Sequence, residues 1–316
     1  MLKNNINKFL HNFENKTPLL PLIVILLMLG SKILIQRDFF SKVNPYLLLS
    51  IVQFIVYVIP SIIFSFILKT KNKNAFKIRR SEKHTFSFRA VSFLLLITVI
   101  ALSKFLYSYI TGARDSTIDL YSGTENMLPV IVSSVLLPSV FEEIFIHGIL
   151  FSLYEERCGS VGAILATSII FSIIHFSPSE FFTYFLAAFV IGVVVSITKS
   201  IFSAIVFHFL NNFLCLYFED SIFKVASESK GAVLAIFLLC ILTLVLLSLV
   251  FSKLETIFTR RSLTDEQAAF ESVTQSNVRL CAEDKSLCSS VISALLSPVF
   301  IVCIIIYVIY IALFLA

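Results

Sequence analysis

The 316-residue chain is 58% hydrophobic and only 14% charged, with a formal net charge of +5 at pH 7. Soluble domains carry roughly 25% charged residues, so this composition excludes an ordinary soluble globular protein. The apolar residues occur in blocks of about 20, which is the length that a helix needs to cross a bilayer. The composition therefore predicts an all-α fold, a polytopic membrane helical bundle whose first partner is the lipid bilayer.

Nine apolar segments are candidate spans, about eight in the core and one extra span at the C-terminal end. The first follows three lysines but lacks a small-residue cleavage site, so we predict an anchor helix rather than a signal peptide. By the length criterion for bilayer crossing, the nine cover residues 19–35, 46–68, 88–111, 127–154, 161–176, 180–198, 201–218, 231–252 and 291–316.

The spans group into three regions along the chain. Residues 1–126 hold N-terminal transmembrane helices and a basic loop, 127–218 hold a central core, and 219–316 hold the C-terminal transmembrane helices. The last region includes a polar connector at 253–290, in which Thr264 and Gln267 are spaced like a capping box. We therefore expect a separate surface helix in the connector.

Basic residues indicate the orientation in the membrane. Residues 69–89 contain eight Lys or Arg against one acid, which predicts a cytoplasmic loop and a cytoplasmic N-terminus. The net positive charge comes largely from this loop, so it reports topology and we expect no nucleic-acid partner. Polar segments rich in Lys, Asn and Ile favour a bacterial plasma membrane as the location.

Two glutamates and three histidines stand out inside apolar spans. The stretch "FEEIFIHG" places Glu142, Glu143 and His147 in the fourth span, and His175 and His208 fall in the fifth and seventh spans. Ionisable side chains within a bilayer are costly, and they indicate a functional site by default. The acids also permit a different function, a proton relay that lines the path of a transporter.

Helical spacing groups these residues in pairs. Glu143 and His147 are four residues apart and share a helix face, as do His208 and Asn212. Glu142 is rotated by about 100° from Glu143, so the two carboxylates cannot point in one direction from an ideal helix. For His208 with Asn212, a simple hydrogen bond between membrane helices is the alternative.

A shared site requires three spans to converge, because 33 residues separate Glu142 from His175 and another 33 separate His175 from His208. Helical bundles build polar sites in this way, with one or two inward-facing residues from each helix. Pro138 precedes Glu142 by four residues and can loosen the helix there. From the span boundaries, we expect His175 to lie about 10 Å nearer the membrane surface than Glu142.

Two further interpretations concern charged side chains. Glu142, His175 and His208 are possible zinc ligands, but the chain has no HExxH motif, so zinc ranks below a metal-free site. Lys32 and Lys104 lie near the ends of their spans, where we expect them to extend toward the membrane surface.

Four short motifs in series carry a family resemblance. "EEIFIHG", "FSIIH", "FLAAFVIG" and "HFLNN", in this order, resemble the CPBP family of CAAX-protease and bacteriocin-processing intramembrane endopeptidases, also called Abi proteins. The family pattern is EExxxR, FxxxH and HxxxN on three separate spans. The resemblance covers residues 127–218, which are thereby a CPBP/Abi-like catalytic core.

The resemblance implies a role for each matching residue. Glu142 is the expected general base, which polarises the attacking water together with His175. His208 and Asn212 are the expected donors that stabilise the oxyanion, and Glu143 supports the site. These roles fit amide hydrolysis, which needs a base for water and donors for the developing charge. They require no cofactor.

One position departs from the family pattern, because His147 stands where the family usually has Arg. A histidine is shorter and pairs with a carboxylate as a cation only when protonated, so His147 is expected to support the site. The departure keeps open a non-catalytic protein of this fold, such as a bacteriocin-immunity protein or a partner scaffold. For a peptidase, prenylated CAAX peptides, bacteriocin leader peptides and other membrane-associated peptides or proteins are all candidate substrates.

Overall fold

The computed structural model describes residues 19–35, 43–68, 83–112, 126–227, 229–270 and 286–314, and every regular element in these ranges is helical. The predicted all-α membrane bundle is thereby confirmed. We number the nine helices α1 (Leu20–Ile35), α2 (Pro45–Gln53 continued by Phe54–Val58 and Ile59–Leu68), α3 (Phe86–Thr111), α4 (Met127–Ile174), α5 (Phe181–Thr198), α6 (Ile201–Ser227), α7 (Ser229–Phe270), α8 (Leu287–Leu295) and α9 (Pro298–Phe314).

Six of the described helices, α2 to α7, are long and apolar enough to cross a membrane, and α1 and α9 are shorter apolar helices. All nine predicted spans fall on helices, but the structure corrects two of their boundaries. The fourth and fifth spans are the two arms of α4, which non-helical backbone at Gly159 separates, and the fourth extends past residue 154. The last span is divided between α8 and α9, because Pro298 disfavours helical backbone at the residue before it.

The chain reverses direction within α4 at Gly159. Its backbone angles there are φ 73° and ψ 175°, a conformation that is essentially restricted to glycine. Residues 127–158 form the first arm of α4, residues 160–174 form the second arm, and Ser160 Oγ donates to Glu155 Oε1 across the turn at 2.7 Å. This reversal determines which residues of the two arms face each other.

Replacing Gly159 by alanine should lower the stability of the protein by about 1–3 kcal/mol, because the added Cβ makes this backbone conformation strained. Thermal unfolding in detergent micelles measures the effect. Gly30→Ala is the matched control, since its new Cβ meets nothing within 4 Å. Equal unfolding temperatures for the two variants would show that the turn does not depend on glycine.

The polar connector is more helical than the sequence predicts. Helix α7 continues to Phe270, so Thr264 and Gln267 lie inside a helix and do not begin a new one. The predicted separate surface helix is therefore wrong over this part, because no Gly or Pro between 232 and 270 interrupts the helix. The rest of the connector, 271–285, and the basic loop at 69–82 lie outside the described residues.

The helices pack into two apolar clusters. One cluster joins buried side chains of α1, α2, α4, α8 and α9 with Ala188 of α5, and the other joins α3, α5, α6 and α7. Large apolar side chains on the outer face of α7, such as Leu234, Phe237 and Leu244, are exposed. An exposed apolar face of this extent fits contact with lipid.

The first arm of α4 contains two π-helical turns, Ile131–Leu136 and Ile144–Leu150, on either side of the glutamates. Pro138 lies just after the first of them and has no N–H to donate to the preceding turn, as expected for a residue that loosens the helix. Such turns insert an extra residue and occur frequently at functional sites. Here they adjust the directions in which Glu142 and Glu143 point.

Candidate active site

A cavity of about 410 Å³ lies between α1, α2, α3, α4, α5 and α6, and its wall includes residues of both apolar clusters. Four predicted site residues line it, namely Glu142, His175, His208 and Asn212. Glu142 and His208 are only 5% and 6% exposed. A concave, largely apolar cavity with a few convergent polar groups is the usual form of a ligand-binding site.

The reversal at Gly159 brings Glu142 and His175 to one level. Glu142 precedes Gly159 by 17 residues and His175 follows it by 16, so each lies about 25 Å along its arm from the turn. The predicted offset of about 10 Å between them is therefore wrong. It arose because the short fifth span, residues 161–176, was centred on the membrane midplane, which put His175 near its outer end.

Glu142 and His175 face each other across a short gap. Oε2 of Glu142 lies 3.8 Å from Nε2 of His175, which is too long for a good direct hydrogen bond. Nδ1 of His175 lies 2.6 Å from the carbonyl oxygen of Phe171. A carbonyl oxygen only accepts, so Nδ1 carries the proton and Nε2 faces Glu142 as an acceptor. A carboxylate and an acceptor nitrogen at this distance can share one water.

The ring of His175 is held by contacts beyond its own helix. Tyr184 on α5 stacks on it with 3.9 Å between ring centroids and 19° between ring planes. Lys32 on α1 donates to the carbonyl oxygen of His175 at 2.7 Å. Phe171 packs against both His175 and His208, with centroid distances of 4.7 and 5.9 Å. The orientation of His175 therefore depends on α1 and α5 as well as α4.

If His175 acts in catalysis, replacing Tyr184 by alanine should reduce turnover about tenfold, because the ring loses its stacking partner and its fixed orientation. Tyr184→Phe keeps the stacking surface and should retain most of the activity. Steady-state kinetics of both variants on one peptide substrate measures the difference. Equal loss in the two variants would assign the effect to the hydroxyl group instead.

Glu143 is a buried carboxylate shared by two imidazoles. Its Oε2 lies 2.5 Å from Nδ1 of His147, and its Oε1 lies 2.8 Å from Nδ1 of His208. The side chain of Glu143 is fully buried, so these two contacts replace its lost hydration. Glu143 therefore fixes the ring of His208, whose other face contributes to the cavity wall.

His147 occupies the position where the family usually has Arg, and it does reach the neighbouring acid. Besides its contact with Glu143, its Nε2 lies 3.2 Å from the carbonyl oxygen of Ala188 on α5. Both ring nitrogens thus face oxygen acceptors. His147 is fully buried beside the cavity and links α4 to α5 and to Glu143.

His208 and Asn212 present possible donors to the cavity. Because Nδ1 of His208 contacts Glu143, Nε2 is its remaining polar atom. The side-chain oxygen of Asn212 accepts from Asn211 at 3.4 Å, which leaves the NH₂ group of Asn212 as a donor. Asn211 also lines the cavity. Two N–H groups in such positions can donate hydrogen bonds to the oxyanion that forms when a carbonyl group is attacked.

The sequence missed part of the cavity wall. Lys32 and Lys104 both line the cavity, which their positions near the ends of the spans did not indicate. Each has a polar partner inside the bundle, the carbonyl oxygen of His175 for Lys32 and the carboxylate of Glu180 for Lys104. Tyr184 had no sequence signal, whereas a lysine within an apolar span was a signal that could have been followed.

Metal ligation was the lower-ranked interpretation of this cluster. Within the described part of the chain, no group of three or more His, Cys, Asp or Glu side chains has the arrangement of a metal site. Nδ1 of His208 is directed at Glu143, and His175 and Glu142 are 3.8 Å apart.

The fold and the cavity together define a class, a polytopic helical membrane protein with a buried cluster of carboxylate, imidazole and amide groups. Residues 124–214 match the model of a protein family described as type II CAAX prenyl endopeptidase Rce1-like. The match lies on the segment of the four motifs and supports the family predicted from them, and the family's description is that of a CAAX-type protease. It covers less than a third of the chain, from just before α4 into α6. No curated protein and no solved structure gives a match.

Proposed function

We propose that the protein is an intramembrane endopeptidase that hydrolyses a peptide bond near or within the membrane. The observation that carries the proposal is the facing pair of Glu142 Oε2 and His175 Nε2 at 3.8 Å, in a cavity that His208 and Asn212 also line. The matched family segment contains all four residues.

In the proposed first step, a single water donates two hydrogen bonds, one to Glu142 and one to His175. Both groups are acceptors in the arrangement described above, so the lone pairs of the water oxygen remain directed at the substrate carbonyl. As the oxygen attacks the carbonyl carbon, Glu142 takes one proton from the water. The carbonyl oxygen becomes an oxyanion, which accepts hydrogen bonds from Nε2–H of His208 and the NH₂ group of Asn212.

In the proposed second step, the C–N bond breaks and Glu142 returns its proton to the leaving nitrogen. The products are a carboxyl group and an amine, and Glu142 is again a carboxylate. For His208 to donate through Nε2 while Nδ1 donates to Glu143, both ring nitrogens must carry a proton. The Glu143 carboxylate provides the compensating negative charge at 2.8 Å.

The proposed general base and the proposed oxyanion donors are each expected to contribute a large rate enhancement. General base catalysis accounts for typically about 10²–10⁴-fold, and one oxyanion donor for about 10²–10³-fold. The apolar wall of the cavity strengthens these electrostatic interactions relative to water. No step of the proposed reaction uses a metal ion.

The substrate is proposed to be a membrane-associated peptide or protein, because the cavity lies among helices long enough to span a bilayer. The matched family is described as acting on prenylated CAAX proteins, which makes such peptides one candidate. Bacteriocin leader peptides and other membrane proteins stay further candidates. The cytoplasmic N-terminus and the bacterial plasma membrane also stay predictions.

Comparative proteomics of membranes from cells with the wild-type protein or Glu142→Ala tests the proposed function. We expect at least one precursor to accumulate uncut in the variant and to be cut by the purified wild-type protein in detergent. Addition of a zinc chelator should leave that cleavage unchanged. Cleavage that stops with the chelator and returns with zinc would instead support the metal interpretation.

The alternatives predict other outcomes of the same comparison. A non-catalytic scaffold would give identical sets of membrane peptides in the two strains. A transporter that uses the acids as a proton relay would do the same, and would show ion-coupled uptake in proteoliposomes. Either result would refute the peptidase.

A further inference from the structure

A single lysine lies next to the reacting groups of the cavity. Lys32, on α1, lines the cavity, and its Nζ donates to the carbonyl oxygen of His175 at 2.7 Å. Nζ also lies 5.8 Å from the ring centroid of Phe176 and 5.9 Å from that of Tyr310. The ammonium group is therefore held in a defined position by one carbonyl and two ring faces.

The charge of Lys32 is unbalanced, in contrast to that of the other cavity lysine. Lys104 lies 3.4 Å from Oε2 of Glu180, so a carboxylate neutralises it. Among the described residues, no carboxylate lies within ion-pair distance of Lys32. The other acid on the described cavity wall, Glu142, faces His175. Of the two cavity lysines, only Lys104 is thus paired with an anion in the described part of the chain.

Placing the ammonium group of Lys32 in this cavity costs free energy unless a partner compensates its charge. A carbonyl and two ring faces compensate an ammonium in part, and Lys32 has three N–H donors, of which one serves His175. An isolated charge among apolar side chains within a bilayer is expensive, and it indicates a functional partner. A carboxylate is the simplest partner that a peptide substrate can bring.

We propose that Lys32 binds a carboxylate of the substrate close to the scissile bond. The inference rests on the proposed peptidase function and assigns a specificity-determining residue to it. Lys32 contacts the backbone of the residue whose ring faces Glu142, which places its ammonium group beside the proposed reacting groups.

Two sources of this carboxylate are possible within one peptide. It is either the free α-carboxylate of a substrate that is cut close to its C-terminus, or the side chain of Asp or Glu. Both present the same group to Nζ, and both form a charge-assisted hydrogen bond. Peptides that differ only in these groups separate the two sources.

Binding to the Glu142→Gln protein in phosphatidylcholine nanodiscs tests the proposal without any turnover. The probes are three fluorescent N-dodecanoyl hexapeptides of Ala, Val and Leu. The first has a free C-terminus, the second an amidated C-terminus, and the third an amidated C-terminus with Glu as its penultimate residue. We expect one or both carboxylate peptides to bind at least about tenfold tighter than the plain amide, as expected for one charge-assisted hydrogen bond.

Further substitution of Lys32 should remove this preference. With Lys32→Gln the carboxylate and amide peptides should bind within about twofold of each other, and Lys32→Arg should restore the preference. Lys199→Gln is the matched control, because Lys199 pairs with Glu155 at 2.9 Å away from the cavity wall. It should keep the full preference for a carboxylate.

Three results would overturn the proposal. They are equal binding of the three peptides, a carboxylate preference that persists in Lys32→Gln, or loss of the preference when phosphatidylglycerol replaces phosphatidylcholine. The last would assign Lys32 to a lipid phosphate. A wild-type protein that binds these peptides but cuts none in a mixed-sequence library would count against the proposed function alone, because the binding result does not depend on cleavage.

Discussion

Replacing Glu142 by glutamine should abolish peptide cleavage, with a loss of at least about 10³-fold, while the protein remains folded. Glutamine has nearly the same size as glutamate, so the cavity keeps its shape. It cannot take a proton from water, however, so the proposed base is lost. His175 does not replace it, because the proposed water is held by both acceptors, which face each other across 3.8 Å, and one of the two is then lost.

The loss is measured with the purified protein and the precursor found by proteomics, by following cleavage of the precursor with mass spectrometry. Glu180→Gln is the matched control, since Glu180 lines the same cavity and is equally buried, at 5% exposed. Glu180 faces Lys104, to which the side-chain oxygen of glutamine can still accept a hydrogen bond. Activity should therefore fall much less than in Glu142→Gln. Full activity of Glu142→Gln would refute the proposed mechanism.

The spacing rules predicted the parts of the site that lie within one helix. Glu143 and His147 are four residues apart and make the contact expected of an i, i+4 pair. The class of fold also followed from the sequence, since composition and span lengths report directly on the bilayer. These features depend on local geometry, which the sequence determines almost by itself.

Contacts between distant segments were not predictable in the same way. Lys32 and His175 are separated by 143 residues, and no periodicity indicates which face of α1 meets the end of α4. The relative depth of Glu142 and His175 depended on a single backbone conformation at Gly159.

The two adjacent glutamates have different surroundings. Glu142 faces the cavity and has a histidine at 3.8 Å, whereas Glu143 is enclosed by two imidazoles at 2.5 and 2.8 Å. A residue that faces a cavity can be changed with little effect on packing, but one that holds buried donors cannot. This difference gives the two successive acids separate roles: in the proposed mechanism Glu142 acts on water, and Glu143 holds the two histidines.

Replacing Glu143 by leucine should therefore destabilise the protein by about 2–5 kcal/mol, whereas Glu142→Leu should cost less than half as much. The leucine leaves the Nδ1–H groups of His147 and His208 buried without an acceptor. Thermal unfolding of both variants in nanodiscs measures the contrast. Activity should also fall in Glu143→Leu, because the ring of His208 loses the carboxylate that orients it.

A double-mutant cycle with His147→Leu isolates the buried pair. Once Glu143 is leucine, the substitution of His147 should cost much less than it does in the wild-type protein, since His147 has already lost its anion. His208 still lacks an acceptor in the double variant, so activity should not return when stability improves. Additive losses in the cycle would mean that Glu143 and His147 stabilise the fold independently, and that the 2.5 Å contact between them contributes little.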